Sequence, residues 1–237
     1  MKHAVYSGNA AVYVDMEMAA KSLVANSDVD AVHFLIDDAK FPRELPDIVT
    51  CHDVRGQRFF PKNSANIRTT FSYMSLMRAA LALMPEFADL DVILSMDCDT
   101  VCVQDVSDIW DMPVDGCYFS ASSEPVRCRN GLLYCNTGVA LYNLAMLRDG
   151  KAEEVVHALN VQKFPNIEQD AFSYLCQGRI HDMPNGYNGT KWTGKHPVSP
   201  KIIHYASVPA SVWRSYAEPH EYGGMTWEEA LERHESM

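Results

Sequence analysis

The sequence predicts an α/β fold in one domain, with a mixed, mostly parallel central sheet flanked by helices. Short apolar runs alternate with helical patterns through the first half of the chain, which is typical of parallel strands connected by helices. The 237 residues can bury a large core, and α/β folds of this size commonly form one domain. Neither an internal repeat nor a low-complexity tract suggests a different organisation.

In the first half, buried strands are predicted at residues 4–6, 31–36 and 91–96. Asp15 is expected to cap a helix that ends near residue 26. A long helix is predicted over 69–84, because apolar residues recur there at spacings of three and four and form one buried face: Phe71, Met74, Met77, Leu81 and Met84. Pro85 should end this helix, since proline has no amide proton to donate.

The second half has a less regular pattern. Strands are predicted near residues 118–119, 137–142 and 201–204, and a helix over 151–159. Thr226 and Glu229 form a capping box, which predicts a short C-terminal helix to about residue 234. The polar segment 41–66 is the least regular and should hold one short strand and a loop.

The composition excludes several classes of protein. With 20 basic and 31 acidic residues the net charge is −11, whereas a nucleic-acid-binding surface usually carries positive charge. No transmembrane segment is predicted, because no apolar stretch approaches the roughly 18 residues of a membrane span. Seven cysteines, an odd number in a chain of this size, favour free thiols and a cytoplasmic location.

Asp97 and Asp99 directly follow the predicted strand 91–96. Residues i and i+2 of an extended chain point to one face, and open α/β sheets bind ligands at the carboxyl ends of their strands. Two carboxylates held together repel each other unless a cation lies between them, and a divalent cation leaves positions free for phosphate oxygens. The alternative is a solvated loop, where Asp-x-Asp is also common.

His204 ends the later apolar run 201–204. As a third ligand beside two carboxylates, its imidazole would favour manganese over magnesium. A histidine at a strand end is also often a hydrogen-bonded core residue, so both interpretations stay open at this point.

Five sequence blocks occur in order over residues 4–213. They are the first strand running into Ser7-Gly8-Asn9, Ser75-Leu76-Met77-Arg78, residues 92–110 with the acidic pair, residues 135–144 followed by Glu168-Gln169-Asp170 and 183–188, and Ile202-Ile203-His204-Tyr205 followed by Trp213. The ordered set resembles the retaining, nucleotide-sugar-dependent glycosyltransferases of family 8, which include bacterial galactosyl- and glucosyltransferases and glycogenin. Each block is short, and their order makes the resemblance specific.

The resemblance implies a GT-A fold over a single domain, residues 1–237. Residues 1–110 would form the nucleotide-sugar-binding half, 111–213 the acceptor half and 214–237 a C-terminal helical tail. It also implies a retaining enzyme that moves a hexose from a UDP-sugar to a glycan or small carbohydrate acceptor. The acceptor is expected to be soluble or attached to a carrier.

The resemblance also implies roles for individual residues. Asp97, Asp99 and His204 would hold Mn²⁺, or Mg²⁺, against the diphosphate of the UDP-sugar. Tyr6 and Asn9 would contact uracil and ribose. Arg78 would reach the donor sugar or phosphate. Glu168 or Asp170 would hold the hydroxyls of the sugar. Asn136 and Gln169 would line the reacting face of the sugar.

Three departures from the family pattern affect these expectations. Ser7-Gly8 stands where the family has an acidic residue, and Leu76 replaces an aromatic residue. The family's diphosphate-binding lysine after His204 is missing, and Arg214 is expected to take its place, although Arg and Lys differ in geometry.

Two other functions stay open. A sugar-phosphate nucleotidyltransferase would need a basic, glycine-rich phosphate loop after the first strand, and residues 7–11 contain neither Lys nor Arg. A nucleotide-sugar-binding protein with weak or no transferase activity would be consistent with the missing lysine. The sequence identifies neither the donated sugar nor the oligomeric state.

Overall fold

The computed structural model describes residues 1–69, 72–193, 199–217 and 222–237. Its strands are β1 His3–Gly8, β2 Ala31–Ile36, β3 Val49–Asp53, β4 Val92–Met96, β5 Thr100–Cys102, β6 Phe119–Ser123, β7 Cys135–Asn143, β8 Ile180–Asp182 and β9 Ile202–His204. Each strand predicted from the sequence is present, and β3 is the short strand expected within 41–66.

Seven of these strands form one sheet in the order β3-β2-β1-β4-β7-β6-β8, and β5 and β9 form a separate pair. Within the described seven-stranded sheet, four of the six strand pairs are parallel and the two that involve β7 are antiparallel. The predicted mixed, mostly parallel sheet is therefore confirmed.

The α-helices are α1 Tyr13–Val24, α2 Leu144–Leu147, α3 Lys151–Val161, α4 Ile167–Leu175, α5 Ala210–Ala217 and α6 Trp227–Glu235. Segments of 3₁₀ helix cover Tyr73–Leu83, Pro85–Phe87, Ser107–Asp111 and Asn185–Tyr187. The capping box of α6 is present, since Thr226 and Glu229 each accept a hydrogen bond from the other's backbone. No helix in the described ranges is long and apolar enough to cross a membrane.

The long 3₁₀ helix Tyr73–Leu83 is shorter than the predicted helix 69–84, and Phe71 lies outside the described residues. Met74, Met77, Leu81 and Met84 are buried as predicted, but Leu76, Ala79 and Ala80 on the other faces are buried too. The helix is enclosed on several sides because it packs against the sheet and also against α3 and α4.

The prediction that Asp15 caps α1 is wrong. Val12 occupies the N-cap position, and Asp15 lies in the first helical turn. Its buried carboxylate instead accepts two hydrogen bonds from Arg214 of α5, at 2.6 and 2.8 Å. A partner 199 residues away in the sequence leaves no local signal, and α5 itself was not predicted.

Two hydrophobic cores lie on opposite faces of the seven-stranded sheet. Alternate residues of β1 enter different cores: Tyr6 packs with α1 and β2, whereas Val5 packs with the long 3₁₀ helix. Each face is covered by helices, as expected for a sheet containing buried parallel strands. The expected division into 1–110, 111–213 and 214–237 stays a prediction.

Candidate functional site

Two strand pairings bring Asp97, Asp99 and His204 together. Asp97 follows β4, and its amide donates to the carbonyl of Gly138 on the adjacent strand β7, at 2.7 Å. Thr100 on β5 is the register partner of His204 on β9, and the amide of Tyr205 donates to the carbonyl of Asp99 at 2.9 Å. The antiparallel β5–β9 pair therefore places the histidine beside the acidic pair.

The three side chains converge on one point, with one ligand atom of each lying within 4.8 Å of the others. His204 Nε2 lies 3.3 Å from Asp99 Oδ1 and 3.5 Å from Asp97 Oδ2. Two carboxylates and an imidazole are a suitable donor set for a divalent transition metal. The predicted convergence is confirmed, and the cluster is compatible with metal binding.

Gly138 has no side chain, and the cluster occupies the space that a side chain there would fill. A Cβ atom at this position would lie 2.1 Å from His204 Cε1 and 2.8 Å from Asp97 Oδ2. Any larger residue would displace two of the three converging side chains. The glycine in β7 is therefore required by close packing against the cluster.

Asn188 fixes the orientation of the His204 ring. Its side-chain nitrogen donates to Asn136 Oδ1 at 3.0 Å, so its side-chain oxygen is free to accept from His204 Nδ1 at 2.8 Å. With the Nδ1 proton donated to Asn188, Nε2 is the nitrogen that faces the two carboxylates, and it would have to lose its proton to bind a metal. Asn188 ends the sequence block 183–188, but no local pattern predicted this contact.

The charges of the cluster stabilise one another. Burial opposes the charged form of His204, but Asp99 and Asp97 outweigh this effect and raise its pKa to about 10. Burial would likewise raise the pKa of Asp97, but Arg78 and His204 hold that pKa well below its usual range. Without a cation between the carboxylates, the histidine and the arginine supply the compensating positive charge.

Arg78 is buried beside the acidic pair. Its guanidinium donates to one oxygen of Asp97 and to the carbonyl oxygen of Thr137, and its Nε lies 3.5 Å from Glu168 Oε1. Arg78 was expected to reach the donor sugar or phosphate. The structure shows that its main partner among the described residues is Asp97, at the edge of the space where such a ligand would lie.

A central cavity of about 240 Å³ opens beside the cluster. It brings together six residues that the sequence analysis selected: Asp97, Asp99, Asn136, Glu168, Gln169 and His204. They come from four different elements or their ends, including β7 and the first turn of α4. This agreement identifies the central cavity as the candidate functional site.

Glu124 links the amides on one wall of the central cavity, and the sequence analysis missed it. Glu124 Oε1 accepts from Asn136 Nδ2 at 2.9 Å and from Gln169 Nε2 at 3.3 Å. The backbone amide of Thr137 donates to Gln169 Oε1 at 3.3 Å. Glu124 directly follows the buried strand β6, which is the same signal that drew attention to Asp97 after β4.

Glu168 is a buried carboxyl group that lines the central cavity. Burial and the nearby Asp97 raise its pKa to about 7, although Arg78 opposes the shift. Glu168 Oε2 accepts no hydrogen bond from the described residues. An unsatisfied polar atom that lines a cavity is well suited to contact a polar ligand.

Asp170 does not line the central cavity, although it follows Gln169 directly. Its carboxylate accepts hydrogen bonds from the hydroxyl of Tyr134 and from the amide of Asn166, and it borders a second, neighbouring cavity. Asp170 and Gln169 differ in this way because successive residues of a helix point in different directions, and the expectation that Glu168 or Asp170 holds sugar hydroxyls stays a prediction.

Tyr6, Asn9 and Arg214 were expected to bind the nucleotide. Tyr6 is completely buried and its hydroxyl donates to Met96 Sδ, and its contact with uracil and ribose stays a prediction. Asn9 lines a strand-tip cavity of about 290 Å³ that also borders Asp97 and Asp99. Arg214 lines neither of these cavities and its guanidinium donates to Asp15, and its contact with the diphosphate stays a prediction.

The sequence matches one family model, described as glycosyl transferase family 8, over residues 15–217. No curated protein matches the chain. The family match spans α1, the acidic pair, the central cavity and His204, so it covers the elements that build the candidate site.

Solved glycosyltransferases share the fold. Similarity to GlyE of Streptococcus pneumoniae TIGR4 has a TM-score of 0.71 at 17% identity, over 99% of this chain and 63% of that one. For galactosyltransferase LgtC, solved with donor and acceptor sugar analogs, the TM-score is 0.67 at 19% identity, covering 99% and 96%. For mouse xyloside xylosyltransferase 1 the TM-score is 0.65 at 17% sequence identity, over 88% of this chain and 99% of that one. The predicted GT-A fold is confirmed.

Proposed function

Because this chain belongs to glycosyltransferase family 8, we propose that it is a metal-dependent, retaining enzyme that transfers a hexose from a UDP-sugar to a sugar or glycan acceptor. One observation carries the proposal: the Asp97–Asp99–His204 cluster opens onto a cavity lined by amide and carboxyl side chains. Chain segments more than a hundred residues apart build this arrangement, and it provides separate groups for a diphosphate and for a sugar.

The side chains of the cluster fit a divalent cation. Asp97, Asp99 and His204 would hold it, and the imidazole favours Mn²⁺ over Mg²⁺. Gly138 keeps the space clear and Asn188 directs the histidine nitrogen, so the surroundings support the fit. When bound, such an ion stabilises the negative charge that develops on the leaving UDP.

The strand-tip cavity and the central cavity both border the acidic pair, which suits a ligand whose diphosphate lies between a nucleoside and a sugar. Asn9 is then near the nucleoside, and Asn136 and Gln169 face the sugar. Glu168 Oε2 has no hydrogen-bond donor among the described residues, and a sugar hydroxyl can supply one. These assignments use four side chains that already line the two cavities.

Retention of configuration has two common chemical routes, double displacement through a covalent intermediate and attack on the face that the leaving group departs from. Gln169 lines the cavity, but its amide is a poor nucleophile beside a carboxylate. We therefore propose front-face attack. The bond between the anomeric carbon and the phosphate oxygen breaks, the acceptor oxygen bonds to that carbon, and the departing phosphate oxygen takes the acceptor's proton.

The test is UDP release from UDP-sugars with and without Mn²⁺, in wild type and Asp99→Asn. The variant should lose the metal-dependent UDP release and keep its circular dichroism spectrum, because Asp99 is partly exposed and lies outside the hydrophobic cores. Asp89→Asn, which changes an exposed carboxylate away from the site, is the matched control and should keep full activity.

Other results would favour other functions. Metal-dependent UDP release that survives in Asp99→Asn would contradict the proposed site. Pyrophosphate released from a nucleoside triphosphate would instead indicate a sugar-phosphate nucleotidyltransferase, and binding without any release would indicate a nucleotide-sugar-binding protein. We also propose a cytoplasmic location, supported by seven cysteines that are all free, as is typical of a reducing compartment.

A further inference from the structure

The second cavity, which we name the basic cavity, has a volume of about 430 Å³ and lies beside the central one. Arg127, Arg129 and Lys163 line it, and Asp170 is the single carboxylate among the described residues of its lining. Three cations therefore line one cavity of a chain whose net charge is −11. The cluster therefore calls for a specific explanation.

Two of the three cations are unpaired. Arg127 Nε lies 3.1 Å from Glu124 Oε2, so this arginine already has an anionic partner. Arg129 and Lys163 are exposed and form no ion pair with any other described residue. Asp170 does not neutralise them, because it is buried against Tyr134 and Asn166. The rim of the basic cavity thus carries uncompensated positive charge.

Aromatic side chains form another part of the basic cavity. The ring of Tyr134 is buried, and the ring of Tyr174, with its centroid 6.1 Å away, is half exposed at the cavity. Flat aromatic surface next to a few polar groups is typical of sites for small organic ligands. The basic cavity therefore offers a ring-binding surface together with two free cations.

The basic cavity adjoins the central one and shares part of its wall. Arg127 and Asn166 line both cavities. The hydroxyl of Tyr134 accepts from Gln169 Nε2 and from Asn166 Nδ2, each at 3.1 Å, so only one layer of side chains separates the two spaces. A ligand in the basic cavity would lie next to the expected position of the donor sugar, where an acceptor must bind.

We propose that the basic cavity binds an acidic saccharide as the acceptor, with Arg129 and Lys163 contacting its anionic group and Tyr174 contacting the sugar ring. This inference rests on the proposed function and adds the chemical class of the acceptor. Arginine and lysine both bind carboxylate and phosphate, so the acidic group belongs to one of these two classes.

Binding to the protein without donor or metal tests the inference. Glucose, glucuronate and glucose 6-phosphate share a pyranose ring and differ in charge, and their dissociation constants can be measured by NMR titration at low salt. At least one acidic sugar should bind tenfold or more tightly than glucose, and the tighter of the two identifies carboxylate or phosphate. The preference should shrink at high salt, because exposed charges are screened.

The double variant Arg129→Gln/Lys163→Gln should lose the preference for the acidic sugar, whereas Lys40→Gln should keep it, since Lys40 is exposed and lines neither cavity. Equal affinity for all three sugars, or a preference that survives in the double variant, would overturn the inference. The proposed function fails separately, through absence of metal-dependent UDP release, because the binding titration does not depend on turnover.

Discussion

Replacing Gly138 with alanine should disable the proposed metal site through a single methyl group. The new Cβ would lie 2.1 Å from His204 Cε1, and ordinary van der Waals contact begins at 3.4 Å, so the imidazole must retreat by about 1.3 Å. Ligand distances in metal sites are defined to within about 0.2 Å. A displacement several times larger removes the histidine from the coordination sphere.

The expected loss of Mn²⁺ affinity is at least about 100-fold, which corresponds to about 2.8 kcal/mol because each tenfold change is about 1.4 kcal/mol. Overpacking of this kind also costs roughly 1–3 kcal/mol of stability, so the variant should melt at a lower temperature but stay folded. Calorimetric titration with Mn²⁺, together with thermal melting, measures both effects on the same protein.

Gly56→Ala is the matched control, because a Cβ at Gly56 meets no atom within 4 Å. It should bind Mn²⁺ as wild type does. Wild-type Mn²⁺ affinity in Gly138→Ala would refute the reasoning, since His204 and Asp97 could not then be ligands in the positions described. If Gly138→Ala failed to fold, the Asn188 variant described next would test the same histidine without overpacking.

Asn188→Ala should weaken Mn²⁺ binding about 10- to 100-fold, because His204 loses the partner that orients its ring; an unchanged calorimetric affinity would argue against a ligand role for the histidine. Gln169→Ala should slow sugar transfer while UDP affinity stays the same, and a collapse of UDP affinity would mean that this residue contacts the nucleotide instead. Burial and the neighbours His52 and His3 lower the pKa of His33 to about 4. Because the unfolded chain binds this proton more readily, protonation of His33 favours unfolding. The free energy of unfolding should therefore fall as the pH drops from 6.5 towards 4, by up to about 3 kcal/mol. Denaturant melts of wild type and His33→Leu between pH 7 and 4.5 check this, and equal pH dependence in both would contradict it.

The fold was largely predictable because its strands are short apolar runs with clear ends. Residues 31–36 and 91–96 have acidic residues at their borders, and Pro85 interrupts the long helix. Such signals are local, so one sequence suffices to read them. The helices α4 and α5 were missed because they are short, with nine and eight residues, and an apolar pattern of this length does not distinguish a helix from other structures.

The candidate site was predictable where chemistry is concentrated in short motifs. Asp97, Asp99 and Gln169 were found this way, and His204 was found because it ends an apolar run. The contacts that orient these residues were not, because Asn188, Glu124 and Gly138 act through packing across the sheet. The contacts of Tyr6 and Arg214 left no local signal either, since their partners Met96 and Asp15 are distant in the sequence.

The pairing of β5 with β9 has a consequence for synthesis of the chain. Thr100 and His204 are register partners although more than a hundred residues separate them, and contacts of such long sequence separation form slowly because a large loop must close first. A nascent chain that ends before β9 carries both carboxylates but lacks the imidazole. An ion held by all three side chains would therefore stabilise the fold only after β9 has been synthesised and paired with β5.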